Sequence, residues 1–365
     1  MHRGAVAEID RSALLHNLHT IRALTAPRRI IAVVKADAYG HGSVEVARTL
    51  VSQGVDFLAV AFSEEAKQLR HSGIGGNVMV LFDQTDVSAC FDLNLTPVIH
   101  DKRAAVAFSR EARKRHAVMP VHLKIDTGMG RVGLAGASAA AEALEIDGLE
   151  GIVLEGLLSH FAETDPTDGS FASSQLTLFR SIRAEIERRT GRSLFCHMAN
   201  SAAIFSNPDA LLDAVRPGIA LYGYSSLERW SGLKPVMKVK ARIIDVRRVP
   251  AGSSVSYGRT FVTKRDSTIA VLAVGYADGY HRLFSNNAEV LANGRRVPVV
   301  GRVCMDLTMI DVTGAGHVSE GDEVTILGSQ DGETITATEL SCRIGTIPYE
   351  ILTSLGNRSR REYVH

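Results

Sequence analysis

The sequence predicts an α/β protein, a (β/α)8 TIM-like barrel followed by a mostly β C-terminal domain. Three observations carry that prediction. Short apolar runs alternate with helical patterns eight times between about residues 11 and 223, the rhythm of strand and crossover helix in a parallel sheet. Several runs end in polar or basic residues: Lys35, His100, His160 and the group His197, Asn200, Ser201. In a barrel such ends converge on one mouth, whereas an open sheet gathers them only at its switch point. After about residue 224 the helical patterns give way to strand-like alternation. The 365 residues therefore divide into a barrel over 11–230 and a β domain over 231–365, with residues 1–10 joining the latter as an N-terminal strand.

The elements follow in order. Ala5–Ile9 reads as a strand, and Arg11–Thr25 as an amphipathic helix with Asp10 as its N-cap. Barrel strands are expected at Ile30–Lys35, Phe57–Ala61, Val78–Phe82, Thr96–His100, Val121–Asp126, Leu154–His160, Phe195–Asn200 and Ala214–Gly223. Helices between them include Val44–Gly54, Ser63–Gly73, Asp101–His116 and Phe171–Gly191, the last closed by Gly191 as C-cap. The second domain carries strand-like runs at Lys238–Val249, Thr268–Val274, Glu289–Leu291, Arg296–Val300, Met309–Val312 and Glu323–Leu327. Asn293-Gly294 between two of them is a hairpin turn.

Composition excludes several functions. The 41 Lys+Arg against 40 Asp+Glu leave a formal charge of +1, too balanced for a protein whose main partner is a polyphosphate backbone. No apolar run approaches the ~20 residues of a membrane span. Met1–Asp10 carries charges where a signal peptide needs an apolar core. A cytoplasmic protein that binds neither nucleic acid nor membrane is expected. Cys90, Cys196, Cys304 and Cys342 are far apart with no Cys-x-x-Cys pair, so free buried thiols are expected rather than a disulfide framework or zinc site.

Candidate chemistry begins with Lys35, which ends an apolar run and precedes the small-residue loop Ala36-Asp-Ala-Tyr39-Gly-His-Gly42. Burial lowers a lysine's pKa, as a Schiff-base lysine requires, although snorkelling to the rim is the plain alternative. Gly128, Gly130 and Gly133 form Gly-x-Gly-x-x-Gly after a strand, with Glu155 at the spacing of a ribose-binding acid. Lys124 and Asp126 interrupt that strand and Arg131 occupies the glycine turn, which argues against a dinucleotide site. Lys124, His160 and His197 meet part of a binuclear metallohydrolase pattern, but the first strand has no His-x-His, so no metal is expected. Asn200-Ser201 and Arg216-Pro-Gly218-Ile219 follow the seventh and eighth strands, where barrels bind phosphate through backbone N–H groups. A mouth lysine opposite a phosphate cradle, with Arg and His between, suggests pyridoxal 5'-phosphate.

Across nearly the whole chain these motifs resemble the alanine racemases, a fold-type III pyridoxal-phosphate family. The matching segments are Ala7–Asp10, Ala32-Val-Val-Lys35-Ala-Asp-Ala-Tyr39, Lys124-Ile-Asp-Thr-Gly-Met-Gly-Arg131, Ser159-His160, Asn200-Ser201, Val215–Gly223, Ser256-Tyr257-Gly-Arg259, Gly275-Tyr276-Ala-Asp278, Val303-Cys-Met305-Asp306 and Pro348-Tyr349-Glu350. The resemblance implies interconversion of L- and D-alanine, supplying D-alanine for peptidoglycan, by a head-to-tail homodimer. It implies that Lys35 carries the cofactor and that Tyr39, Asn200, Ser201, Gly218, Ile219 and Tyr349 bind it, chiefly at the phosphate. Arg216 would face the pyridine nitrogen with His197 behind it, and His160 would pack on the ring. Arg131 would bind the substrate carboxylate, oriented by a carbamate on Lys124. Tyr257 and Met305 would enter the partner's site, with Tyr276 and Asp306 supporting them. Lys35 and Tyr257 are the expected pair of bases, since racemisation needs one on each face of the α-carbon. A phenol of ordinary pKa ~10 needs cationic neighbours to serve as a base. Other readings are a racemase of serine or of broader range, a barrel-type decarboxylase, and a non-enzymatic cofactor carrier. Leu355–Tyr363 departs from the family's Arg-x-Pro-Arg ending, so the resemblance does not secure the last strand.

Overall fold

The computed structural model describes residues 4–163, 169–225 and 232–365. The chain forms two compact units, Leu15–Ala38 with Ser43–Leu233, and residues 4–14 with Tyr39–Gly42 and Lys234–His365. The expected boundary between residues 230 and 231 lies outside the described residues.

After an opening strand β1 (Val6–Asp10), the first unit is built on β2 (Arg29–Val33), β3 (Phe57–Val60), β4 (Asn77–Val80), β5 (Leu95–Ile99), β6 (Met119–Asp126), a two-residue β7 (Leu134–Ala135), β8 (Ile152–Leu158), β9 (Phe195–Asn200) and β10 (Ala214–Arg216). All pairings are parallel. Two close the sheet into a barrel: Val98 with His122 joins β5 to β6, and Val215 with Ile30 joins β10 to β2. These strands are covered on both faces, which is why they read as continuous apolar runs. Ile31, Ala32, Leu58, Val80, Val98, Leu123, Leu157, Met198 and Val215 are all fully or almost fully buried.

Two caps form as expected. The Asp10 carboxylate accepts the Ala13 N–H at 2.9 Å, and Gly191 closes Ser170–Thr190 in the left-handed conformation at φ 68°. The run Ala214–Gly223 is a strand only as far as Arg216. Pro217 cannot donate to a ladder, and Ile219–Tyr222 turns as a 3-10 helix.

In the second unit, β1 lies between β11 (Met237–Val249), antiparallel, and β20 (Arg360–Val364), parallel. The N-terminal strand pairs within this sheet, and the last strand is present despite the divergent ending. The order along the sheet is β16 (Arg295–Pro298), β15 (Glu289–Ala292), β18 (Glu323–Gln330), β11, β1, β20. The far half of β11 pairs with β14 (Ser267–Leu272), which pairs with β17 (Thr308–Asp311). Asn293 and Gly294, both at positive φ, turn β15 into β16 as the sequence predicts. Three features were not foreseen: the small hairpin β12 (Ser254–Val255) with β13 (Phe261–Val262), the short β19 (Glu333–Ile335), and the helices Ala337–Ile344 and Pro348–Arg358. Of the four free cysteines, Cys90 and Cys196 are buried as expected, but Cys304 is half-buried and Cys342 exposed.

Candidate active site

In the barrel unit, the end of β2 is tied down before Lys35. The Val33 N–H donates to Pro217 O and the Val34 N–H to Ala59 O, both at 2.9 Å. The buried Tyr222 hydroxyl donates to Val33 O at 3.0 Å. Ala36, Asp37, Ala38 and Tyr39 then all lie near φ 52–54°, in the left-handed region. Each such non-glycine residue costs about 1–2 kcal/mol, so neighbouring bonds must hold the turn. The Glu65 carboxylate accepts the Ala36 N–H at 2.6 Å, Asp37 accepts the Ser43 N–H at 2.7 Å, and the Ala38 N–H returns to Val34 O at 2.9 Å.

The Lys35 ammonium sits over the Phe82 ring, 5.4 Å from its centroid, and the Arg131 guanidinium lies 5.2 Å from the same ring. Burial and then Arg131 lower the Lys35 pKa; Glu65 opposes this and Arg216 adds to it. The amine is thereby biased toward the neutral, nucleophilic form. Lys124 is buried, and its pKa falls well below the ordinary value through burial, Arg216 and Arg131, against Asp126.

The glycine loop after β6 satisfies itself. The Asp126 carboxylate accepts the N–H groups of Gly128 at 2.9 Å and of Gly130 and Arg131 at 3.1 Å. Burial would raise the Asp126 pKa, but these amides hold it below the carboxylate norm. An internal carboxylate thus occupies the amides that a dinucleotide phosphate would need, and the loop serves to aim Arg131. Among the described residues no cluster of three or more His, Cys, Asp or Glu could hold a metal.

Arg216 ends β10 almost fully buried. One of its terminal nitrogens donates to His197 Nδ1 at 2.6 Å and His197 O at 2.7 Å. The other donates to Ser159 O at 2.6 Å and Met198 O at 3.1 Å, with His160 Nδ1 at 3.3 Å. Burial and Arg131 pull its pKa down to about 9, which leaves it charged at neutral pH. Burial and Arg216 push His160 to about 2 and His197 well below its ordinary value, so both rings are neutral.

At the start of helix Ser201–Ser206, Asn200 Oδ1 caps the Ala203 N–H at 3.0 Å. Ser201 Oγ accepts the N–H groups of Gly218 at 2.9 Å and Ala220 at 3.2 Å. With both lone pairs used, its own proton is free to donate toward an anion beside Gly218 and Ile219. A condensing amine, a fixed guanidinium bonded to no acid among the described residues, a neutral imidazole and a hydroxyl donor suit the aldehyde, pyridine nitrogen, ring face and phosphate of pyridoxal phosphate.

In the β unit, the buried Tyr39 and half-exposed Tyr349 rings lie 5.8 Å apart, and burial raises both phenol pKa values. Both stay protonated and able to donate. Gly40 and Gly356 meet so closely that a Cβ on Gly356 would stand 2.6 Å from Gly40 Cα. The Arg361 side chain clamps both carbonyls, at 3.0 and 2.8 Å. Tyr257 is 72 % exposed on the β12–β13 turn, and Met305 is 55 % exposed. The Met305 backbone is fixed through its carbonyl, which accepts the Ala277 N–H at 2.9 Å, while Cys304 O accepts the Tyr276 N–H at 3.0 Å. Tyr276 is exposed and Asp306 half-buried. Sequence reasoning missed Phe82 and Glu65. An aromatic ending a strand and a glutamate opening a helix carry no chemical signature until the fold sets them beside Lys35.

The family model "Alanine racemase, N-terminal domain" matches residues 9–226, and "Alanine racemase, C-terminal domain" matches residues 236–363. An alanine racemase of Thermodesulfovibrio yellowstonii is 47% identical over 368 residues, covering 100% of this chain and 99% of that protein. Among solved structures, an alanine racemase of Clostridium difficile 630 superposes with TM-score 0.93 at 34% identity, covering 100% of this chain and 96% of the other. An alanine racemase of Bartonella henselae with covalently bound pyridoxal phosphate superposes with TM-score 0.88 at 32% identity, covering 100% of both. With both of its parts matched over nearly their full length, the chain belongs to the alanine racemase family.

Proposed function

We propose that this chain interconverts L-alanine and D-alanine with pyridoxal 5'-phosphate held at Lys35, in the cytoplasm, supplying D-alanine for peptidoglycan. The observation that carries the reading is the barrel-end set of a deprotonation-prone Lys35 beside Arg131 and a buried, rigidly bonded Arg216. When bound, the cofactor supplies an aldehyde that takes up an amine and a ring that withdraws electrons from the α-carbon.

The residues then divide the work. Ser201, the Gly218–Ile219 backbone, Tyr39, Tyr349 and Asn200 hold and frame the phosphate, and His160 packs on the ring. Arg216 donates to the pyridine nitrogen and, being a cation, leaves it unprotonated, which restrains side reactions. Arg131 binds the substrate carboxylate. Lys124, biased toward its neutral amine, can take up carbon dioxide with loss of one proton, turning a neutral group into an anion beside Arg131. Lys35 Nζ and Tyr257 Oη take and return the α-proton on opposite faces. The exposure of Tyr257 and Met305 supports a homodimer in which both enter the partner's site, backed by Tyr276 and Asp306. The barrel is assigned to residues 11–230 and the β domain to 231–365.

Purified protein should take up pyridoxal phosphate with a visible absorbance band and convert L-alanine to D-alanine. Racemisation that persists in Lys35→Ala would overturn the assignment. Faster turnover of serine would shift the substrate, and release of carbon dioxide would indicate a decarboxylase.

A further inference from the structure

Behind Arg216 the polar contacts continue past His197. His197 Nε2 lies 3.0 Å from His122 Nδ1, and His122 Nε2 lies 3.8 Å from the Glu155 carboxylate. Both rings are fully buried, whereas the Glu155 side chain is 46 % exposed. Among the described residues His122 Nε2 makes no hydrogen bond, and the Glu155 carboxylate at 3.8 Å is the acid it faces. The residue beside Glu155 is Gly156, where a Cβ would stand 2.6 Å from both Nδ1 and Cε1 of His122. A side chain there would meet both that ring and the Phe195 carbonyl, 2.4 Å from the same position.

The direction of every bond follows from Arg216, which can only donate. His197 must therefore present a lone pair at Nδ1 and carry its proton on Nε2. That proton is donated to His122 Nδ1, so His122 carries its own on Nε2, facing Glu155. A cationic or flipped imidazole at either position would set two protons against each other. Burial, with Arg216 beside both rings, also keeps them neutral. The donors thus run in one sense, from the guanidinium through His197 to His122, whose Nε2–H faces the carboxylate, and bonds aligned this way polarise one another.

We propose that His122 and Glu155 are positioning residues that extend Arg216–His197 into a four-membered chain, locking the Nε2-protonated tautomer of His197 and with it the orientation of the Arg216 guanidinium. The proposal rests on the reading that Arg216 faces the pyridine nitrogen. It adds two residues that touch neither cofactor nor substrate.

The test uses the full-length protein with labelled histidine, loaded with pyridoxal phosphate and again after its removal. Long-range proton–nitrogen correlation spectra should show His197 and His122 both neutral and protonated on Nε2 in each form. His122→Phe, which the neighbouring rings of Phe57 and Phe195 can receive, should lower kcat about 10-fold with KM changed less than about twofold, and shift the pH titration of the bound cofactor's absorbance. His122→Asn restores an acceptor near the position of Nδ1 and should recover all but about threefold of kcat. Glu155→Gln should cost about threefold. A His197 protonated on Nδ1 or on both nitrogens would overturn the proposal, as would His122→Phe with wild-type kcat and spectrum. If the loaded protein makes no D-alanine, the functional reading fails, while the tautomers of the cofactor-free chain still decide the relay.

Discussion

Replacing Ser201 with alanine removes one oxygen that does two jobs. In the folded chain, Ser201 Oγ is the acceptor for two backbone N–H groups, Gly218 at 2.9 Å and Ala220 at 3.2 Å, and the residue is 5 % exposed. A buried donor left without an acceptor costs about 1–3 kcal/mol, so two give about 2–6, and partial relaxation of the turn brings the expectation to about 2–4 kcal/mol. Urea unfolding of the cofactor-free protein should show that loss as a lower midpoint with an unchanged slope. The same substitution removes the hydroxyl proton assigned to the phosphate. A hydrogen bond to a charged acceptor contributes about 1.5–3 kcal/mol, so pyridoxal phosphate should bind about 10- to 100-fold more weakly. Ser201→Thr keeps the hydroxyl and should stay near wild type in both assays. Ser201→Ala with a midpoint within ~0.5 kcal/mol of wild type would refute the structural part of the reasoning, and unchanged cofactor affinity would refute the phosphate assignment.

Other consequences are as direct. Phe82→Leu keeps bulk but removes the ring face shared by Lys35 and Arg131; at about 0.5–2 kcal/mol per contact, kcat/KM for alanine should fall about 10-fold, and unchanged steady-state constants would remove Phe82 from the account. Ala36→Gly relieves a left-handed residue at φ 52° and should add about 1 kcal/mol in urea unfolding while lowering kcat, because Lys35 loses its rigid mount. His122 at about 3, His160 at about 2 and the similarly depressed His197 stay unprotonated when folded but bind protons near pH 6.5 when unfolded. The unfolded state then holds more protons below that pH, so stability should fall as pH drops from about 6.5 toward 3, by up to ~1.4 kcal/mol per unit per histidine. A flat stability profile between pH 6.5 and 4 would contradict this. Tyr257→Phe should lower kcat/KM for racemisation equally in both directions, as an equilibrium constant of one requires, while solvent exchange of the α-hydrogen survives in one enantiomer far better than in the other; equal loss of exchange in both would argue against Tyr257 as one of two bases.

The barrel was legible because each of its strands is buried on both faces, so Phe57–Val60 or Val121–Ile125 announces itself by apolar content alone. The alternating β11 and the Asn293-Gly294 turn were legible for the complementary reason, one face packed and a turn that demands positive φ. Backbone conformation at the site was not legible. Four successive left-handed residues after Lys35 contradict local preference and persist through a bond to Glu65, distant along the chain, and one from nearby Ser43 to Asp37. The glycine loop after β6 imitated a dinucleotide motif because glycines serve an internal carboxylate as readily as a phosphate. His122 is one more polar residue on an apolar strand, and its partners His197 and Glu155 come from two other strands. Only parallel pairing in register brings them together.

In the proposed reaction Lys35 and a second base remove and return the α-proton of alanine. The most direct measurement is incubation of the pyridoxal-phosphate-loaded protein with L-alanine in deuterium oxide, resolving the enantiomers and their isotopic content over time. The expected result is D-alanine approaching equality with L-alanine, with deuterium at the α-carbon of the product and no pyruvate or carbon dioxide, and loss of the reaction in Lys35→Ala. Deuterium exchange without formation of D-alanine, or D-alanine formed at the same rate by Lys35→Ala, would contradict it.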